Sequence, residues 1–197
     1  MQYSLIGSGA IGQALLGHFN RAQMDIVLAN SRGPTSLEEL SAAAGSGVKP
    51  ATVQEALRAD LVILAVPFAA VSEVFQGSTT EASQIVVDAT NAIDFPSFKP
   101  KDLGGRPSTA IVGDAAGQAR VVKAFNTLPA ALLSADPASD GGARVVFISG
   151  DEPEANGIVA ELVRQLGFAP VVLGRLSEGG LLQQFGSPLA AQNFVQH

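Results

Sequence analysis

The chain has 197 residues, 47% hydrophobic and 15% charged, with a formal net charge of −6 and no cysteine. That balance supports a sizeable buried core, excludes a disordered chain, and argues against a nucleic-acid binder because no basic patch offsets the acidic excess. The missing cysteines exclude disulfides, thiolate metal sites, iron–sulfur clusters and a thiol nucleophile, and no apolar run reaches the length of a membrane span.

In chain order, Tyr3-Ser4-Leu5-Ile6 reads as a short apolar strand running at once into Gly7-Ser8-Gly9-Ala10-Ile11-Gly12. A helix follows, with Ile11, Ala14, Leu15 and Phe19 on one face. His18, late in that helix, reads as a partly exposed surface residue. A second strand, Ile26 to Ala29, arrives at the spacing of a βαβ unit. The loop Asn30-Ser31-Arg32-Gly33 leads to Pro34, which suits the first turn of a helix running to about Ala44. Gly45 and Gly47 end that helix, and a short strand spans Val48 to Ala51. Thr52-Val53-Gln54-Glu55 has the spacing of a capping box. Leu61 to Val66 is a continuous apolar run, as in a central parallel strand, and Ile85-Val86-Val87 is another.

Asp94 to Pro107 reads as an irregular crossing loop. A strand runs from Val121 to Phe125, Asp136 to Gly142 is a surface loop, and Val145 to Ile148 is a strand. Asp151-Glu152-Pro153-Glu154 places acids and a proline at a helix start, with the helix ending near Gly167. Val171 to Leu173 is a late strand, and the tail from Leu176 to Val195 is expected to be largely helical. Alternation of strands and helices predicts an α/β fold, a Rossmann-type doubly wound, mostly parallel sheet with a small α/β C-terminal extension. The expected division is a nucleotide-binding domain over 1–130 and a small region over 131–197 that completes a substrate cleft.

The G-x-G-x-x-G between strand and helix has a physical meaning. The first glycine permits a tight turn, the second lets a pyrophosphate approach the backbone, and the third lets the helix pack closely on the strand. The free N–H groups of that helix then face the phosphates. Which dinucleotide binds depends on the end of the second strand. An NAD site carries a carboxylate there for the ribose hydroxyls. This chain has Ala29-Asn30-Ser31-Arg32 instead. A guanidinium and a hydroxyl suit a 2′-phosphate, which favours NADP(H); the alternative for Arg32 is a solvated loop charge.

Acid–base candidates are few. Tyr3 is the only tyrosine and lies on the first strand, and His197 is the final residue, so neither a Tyr-x-x-x-Lys pair nor a shared histidine metal site is expected. Lys123 and Asn126, at the end of a predicted strand, are the candidate catalytic residues, Lys123 as a general acid and Asn126 as the holder of a carboxamide or substrate oxygen. The alternative is a structural ion pair at Lys123 and a capping role for Asn126. Thr90 and Asn91, after another apolar strand, are candidates to approach the nicotinamide, whereas Asp88 reads as structural. So few proton donors suit hydride transfer between two cofactors, where the protein mainly supplies position and electrostatics.

Gly7–Gly12, Asn30–Arg32, Leu64-Ala65-Val66-Pro67, Asp88–Asn91 and Val122-Lys123-Ala124-Phe125-Asn126-Thr127-Leu128-Pro129, in this order, resemble the NADPH-dependent deazaflavin (coenzyme F-420) oxidoreductase family. The resemblance implies a Rossmann domain binding NADP(H) at Gly7, Ser8, Gly9, Ala10, Ile11 and Gly12, with Ser8, Ser31 and Arg32 around the 2′-phosphate; Asn30, in the same loop, is a further candidate cofactor-binding residue. It implies that Val66 and Pro67 border the nicotinamide side, with Ala89, Thr90 and Asn91 near it. It further implies a deazaflavin or flavin as small-molecule acceptor and a homodimer, while the acidic balance and the lack of a targeting or membrane-length apolar segment lead to the expectation of a cytoplasmic protein with no membrane or nucleic-acid partner. The chain departs from the archaeal deazaflavin enzymes at Asn126, where they tend to carry histidine. The Lys123–Asn126 stretch is also similar to the cytosolic domain of membrane ferric reductases. Two other functions remain open: an NADPH-dependent reductase of a small carbonyl or imine using Lys123, and a non-catalytic NADP(H) sensor.

Overall fold

The structure is a computed structural model that describes residues 1–139 and 141–197. Asp140, within the expected surface loop, lies outside the described residues.

The first half alternates as the pattern predicts: β1 (Tyr3–Ile6), α1 (Ala10–Arg21), β2 (Ile26–Ala29), α2 (Glu38–Ala44), β3 (Val48–Ala51), α3 (Val53–Ala56), β4 (Leu61–Leu64), α4 (Val71–Val74) and β5 (Ile85–Asp88). Pro34–Leu37 forms a 3-10 turn that leads into α2. α2 stops where Gly45 takes φ 117°, a value few side chains tolerate. The capping box at α3 is present: Thr52 accepts from the Glu55 amide while the Glu55 carboxylate accepts from the Thr52 amide.

The second half comprises the short strands β6 (Ile93–Asp94) and β7 (Lys99–Pro100), then α5 (Ser108–Ala116), β8 (Arg120–Lys123), α6 (Ala130–Ser134), β9 (Ala138–Ser139), β10 (Gly142–Gly150), α7 (Pro153–Gln165), β11 (Ala169–Val172), α8 (Gly179–Gln183) and β12 (Val195–Gln196).

The main sheet runs β11-β10-β8-β5-β4-β1-β2-β3. From β3 to β8 every pairing is parallel. β10 joins β8 antiparallel, through Ser149 opposite Lys123, and β11 runs parallel to β10. Residues 131–197 therefore extend the same sheet. The parallel strands bury both faces, so β4 and β5 are buried at every position. Their period of two divides the core. Leu5, Ile63, Val87 and Val122 lie side by side in register and pack under Leu15 and Phe19 of α1 and Val159 and Leu162 of α7. Ile6, Leu64, Val86 and Val121 face the other way, against Val71, Val74, Phe75 and Val112.

Four expectations are corrected. The tail from Leu176 to Val195 is not largely helical: α8 ends at Gln183, and turns lead to β12. Gly186 at φ 85° and Pro188 break the helical path. Asp94 to Pro107 is not wholly irregular, because β6 and β7 pair as a hairpin. The strand ending in Phe125 stops at Lys123, since Phe125 itself takes φ 60°. His18 is buried rather than partly exposed, because α6 covers it: its Nε2 lies 2.5 Å from the Leu133 carbonyl, and its ring meets Phe168 edge-on at 4.8 Å.

Candidate functional site

The chain runs from β1 outward to β2 and β3, then returns to β4 on the opposite side of β1. Ligands of doubly wound sheets bind at such a reversal, beyond the carboxyl ends of the strands. A cavity of about 530 Å³ lies there, lined by Ile6–Gly9, Asn30–Arg32 and Ala65–Pro67.

Its floor is the glycine turn. The Gly7 amide donates to the Ala29 carbonyl at 2.8 Å, tying the turn to the end of β2. Gly7 has φ 123°, and a Cβ there would fall on the Ala65 carbonyl. A Cβ on Gly12 would fall on the Gly7 carbonyl. Gly9 differs: a Cβ there would meet nothing within 4 Å. The space beside its backbone is open, as a phosphate approaching the turn requires. Ala10, Ile11 and Gly12 form the first turn of α1, which has no acidic residue and no side-chain cap. Its N-terminal amides and dipole are therefore available to an anion.

Asn30, 8% exposed, organises the β2 loop. Its Nδ2 donates to Ser8 Oγ and to Ser36 Oγ, each at 3.1 Å, and its Oδ1 accepts from the Arg32 amide at 2.9 Å. One side chain thus fixes the glycine turn against the loop that presents Ser31 and Arg32. Both of those residues are exposed at the rim. Ser36 was invisible as a site residue in the sequence, although a serine six residues after Asn30 on a predicted turn is suited to such a bond. Val53, Gln54, Ala70, Glu73 and Val74 also line the cavity and were not singled out. The signal for them was position: Val53 and Gln54 follow another strand end, and Ala70 and Val74 are one helical turn apart.

A second group lies at the ends of β5 and β8. Lys123 is fully buried, with Nζ 2.8 Å from Asp88 Oδ2 and 3.1 Å from the Thr90 carbonyl. Asp88 Oδ1 accepts from the amide and hydroxyl of Thr90 at 2.9 and 2.6 Å. Ala89 and Thr90 are buried with it, and Asn91 is partly exposed. Asn91 and Asn126 clasp each other: Asn91 Nδ2 donates to the Asn126 carbonyl at 2.8 Å, and Asn126 Nδ2 donates to Asn91 Oδ1 at 3.1 Å.

Gln183 completes this network. It is fully buried, accepts from Ser149 Oγ, and donates to the Phe147 carbonyl at 3.0 Å. Its own carbonyl accepts from Asn126 at 2.7 Å. α8 is thereby fastened to the ends of β8 and β10. The residues singled out from sequence thus form two clusters. Ser8, Gly9, Ser31, Arg32, Val66 and Pro67 surround the cavity, while Ala89–Asn91, Lys123 and Asn126 form the polar group beside α8.

Among the described residues, no group of three or more His, Cys, Asp or Glu side chains is arranged to hold a metal, and no helix is long and apolar enough to cross a membrane.

The chain matches a hypothetical protein from Sinorhizobium meliloti with 52% identity and a TM-score of 0.96, over 100% of this chain and 96% of that one. A candidate F420-dependent NADP reductase from Arthrobacter shares the fold at a TM-score of 0.72, with 23% identity, covering 90% of this chain and 86% of that one. Metalloreductase STEAP3 of Rattus norvegicus is 34% identical over 96 residues, 49% of this chain, and the chain spans only 18% of that protein's length. The family model described as NADP oxidoreductase coenzyme F420-dependent matches residues 2–92, the segment holding the glycine turn, the Asn30–Arg32 loop and Val66-Pro67. The match to that family model is carried by those residues and spans somewhat less than half of the chain.

Proposed function

We propose that this protein is an NADP(H)-dependent oxidoreductase that passes hydride between NADP(H) and a deazaflavin or flavin-like acceptor. The observation that carries this reading is the cavity over the glycine turn, whose β2 edge offers Asn30, Ser31 and Arg32 and no carboxylate. Gly7, Ser8 and Gly9 would hold the pyrophosphate, with Ala10, Ile11 and Gly12 supplying the start of α1 behind it. Ser31 and Arg32 would meet the 2′-phosphate on a loop held by Asn30. Val66 and Pro67 give the wall towards the nicotinamide. When bound, NADPH supplies a hydride, and the acceptor takes that hydride and one proton from solvent.

In this reading Lys123 and Asn126 act by position. Lys123 compensates Asp88, and that pair sets the backbone of Ala89 and Thr90. Asn126 and Asn91 present carboxamides beside the crevice, and residues 131–197 close it. The carbonyl or imine alternative needs Lys123 as a proton donor, and its full burial within the Asp88 ion pair gives that alternative no support. A cytoplasmic homodimer accompanies the reading. The exposed side chains Phe95, Phe98, Leu181 and Leu182 supply apolar surface for a second copy, and sedimentation would measure the assembly.

The test is NADPH oxidation against deazaflavin, FMN, FAD and a panel of carbonyls and imines. Turnover with the flavin-type acceptors alone is expected. Turnover confined to carbonyls or imines would overturn the reading, and NADPH binding without any turnover would favour a sensor.

A further inference from the structure

α3 and α4 pack on the same face of the sheet, α3 through Ala56 and α4 through Val71 and Val74. Their ends are tied together: the Ser78 hydroxyl, just beyond α4, donates to Gln54 Oε1 at 2.8 Å. The cavity over the glycine turn reaches both helices, where Val53, Ala70 and Val74 give it apolar walls. Ser31 and Arg32 stand at the β2 edge of this slot. In NADP(H) the 2′-phosphate and the base hang from adjacent carbons of one ribose. A 2′-phosphate at Arg32 therefore leaves the base in the apolar slot beside it, where burial of its faces is favourable.

Two polar side chains, Gln54 and Glu73, share this part of the wall. Gln54 has its Oε1 engaged by Ser78, so the end it offers is Nε2, a donor with no partner among the described residues. Glu73 is exposed, makes no hydrogen bond or ion pair among the described residues, and is the one acid in the cavity wall among them. A carboxylate beside a cofactor of several negative charges is repulsive unless it accepts from a donor on that cofactor. By position Glu73 suits the dipole of α4, but α4 spans four residues and carries little dipole. Adenine presents the complement of this pair. Its 6-amino group donates, and the ring nitrogens on either side accept. A carboxylate takes the amino group, and a carboxamide N–H takes a ring nitrogen. In hypoxanthine an oxygen replaces the amino group, so two acceptors would meet at Glu73. The ribose 3′-hydroxyl is another donor within reach of the adenosine half, and a Glu73 bound there would not distinguish the two bases.

We propose that Gln54 and Glu73 read the amino edge of the cofactor's adenine, Glu73 accepting from the 6-amino group and Gln54 Nε2 donating to an adjoining ring nitrogen, so that the site selects 6-amino over 6-oxo purine dinucleotides. The proposal rests on the NADP(H) reading above, and adds that the base is recognised as well as the 2′-phosphate.

The experiment compares NADPH with its analogue carrying hypoxanthine in place of adenine, by calorimetric titration into the full chain without any acceptor. The two nucleotides share the phosphates, riboses and nicotinamide and differ at the purine 6-position. Wild type is expected to bind NADPH about tenfold or more tightly than the analogue, in line with discrimination by a paired base edge. Glu73→Gln, at an exposed position, offers a donor to the 6-oxygen and should bring the ratio near one, weakening NADPH while tightening the analogue. Gln54→Ala should weaken NADPH several-fold. Equal constants for the two nucleotides in wild type, or the same change for both in Glu73→Gln, would overturn the base reading and leave NADP(H) binding in place. An unchanged NADPH constant in Gln54→Ala would remove Gln54 from it. No binding of either nucleotide would overturn the NADP(H) reading, and this one with it.

Discussion

Gly9 and Gly12 are two residues of one motif with opposite physical reasons to be glycine. Gly12 faces the Gly7 carbonyl, so Gly12→Ala forces α1 off β1. We expect a loss of about 1–3 kcal/mol or more, as for other overpacked contacts, read by urea denaturation. Gly9 faces open space at an ordinary φ of −76°. Gly9→Ala should leave the urea midpoint nearly unchanged and weaken NADPH, because the new methyl occupies the approach to the backbone. Arg32→Ala belongs to the same scale. A charge-assisted hydrogen bond contributes about 1.5–3 kcal/mol, so NADPH should bind roughly tenfold or more weakly with NADH little changed. Equal losses for both cofactors by calorimetry would remove the 2′-phosphate assignment. These residues were legible in the sequence because a turn and the loop beside it are local. Ser36 was not, since its role depends on how Asn30 folds back between it and Ser8.

At the scale of elements, two contacts control how neighbours meet. His18 joins α1 to α6. Burial, the largest influence, pushes its pKa below the usual histidine value, although the Leu133 carbonyl bond pulls the other way. The unfolded chain takes up a proton near the ordinary value of about 6.5, whereas the folded chain resists it. As pH falls through that region the unfolded state binds more protons and stability declines. Thermal unfolding midpoints should therefore fall below about pH 6.5, and His18→Phe should flatten that dependence. The second contact is the Lys123–Asp88 pair between β8 and β5. Lys123→Met leaves a buried carboxylate without its cation, at a cost of about 3–5 kcal/mol. Asp88→Asn added to it should recover part of the loss in urea titrations. The elements themselves were readable from periodicity and caps, as at Thr52 and Glu55. The burial of His18 was not, because α6 lies more than a hundred residues away.

For the whole molecule, the tail matters most. Gln183 binds α8 to Ser149, Phe147 and Asn126, uniting residues at the ends of the chain's later strands with the crevice. Gln183→Leu orphans at least one buried polar group, at about 1–3 kcal/mol each, and should lower the urea midpoint accordingly. In this setting α8 is short and the chain beyond it is held by turns and by β12 on β10, where apolar spacing alone suggested continued helix.

The sequence by itself determined the parallel sheet, the glycine turn and the cationic, carboxylate-free end of β2, because each is set by residues a few positions apart. Tertiary structure alone decided which polar side chains are sealed together. Asp88, Lys123, Asn126 and Gln183 become one network only when β5, β8 and α8 converge. Ser108 lines a cavity with Phe185 only when the tail packs on Pro100. Burial and hydrogen-bond partnership are properties of such distant meetings, and neither composition nor periodicity encodes them.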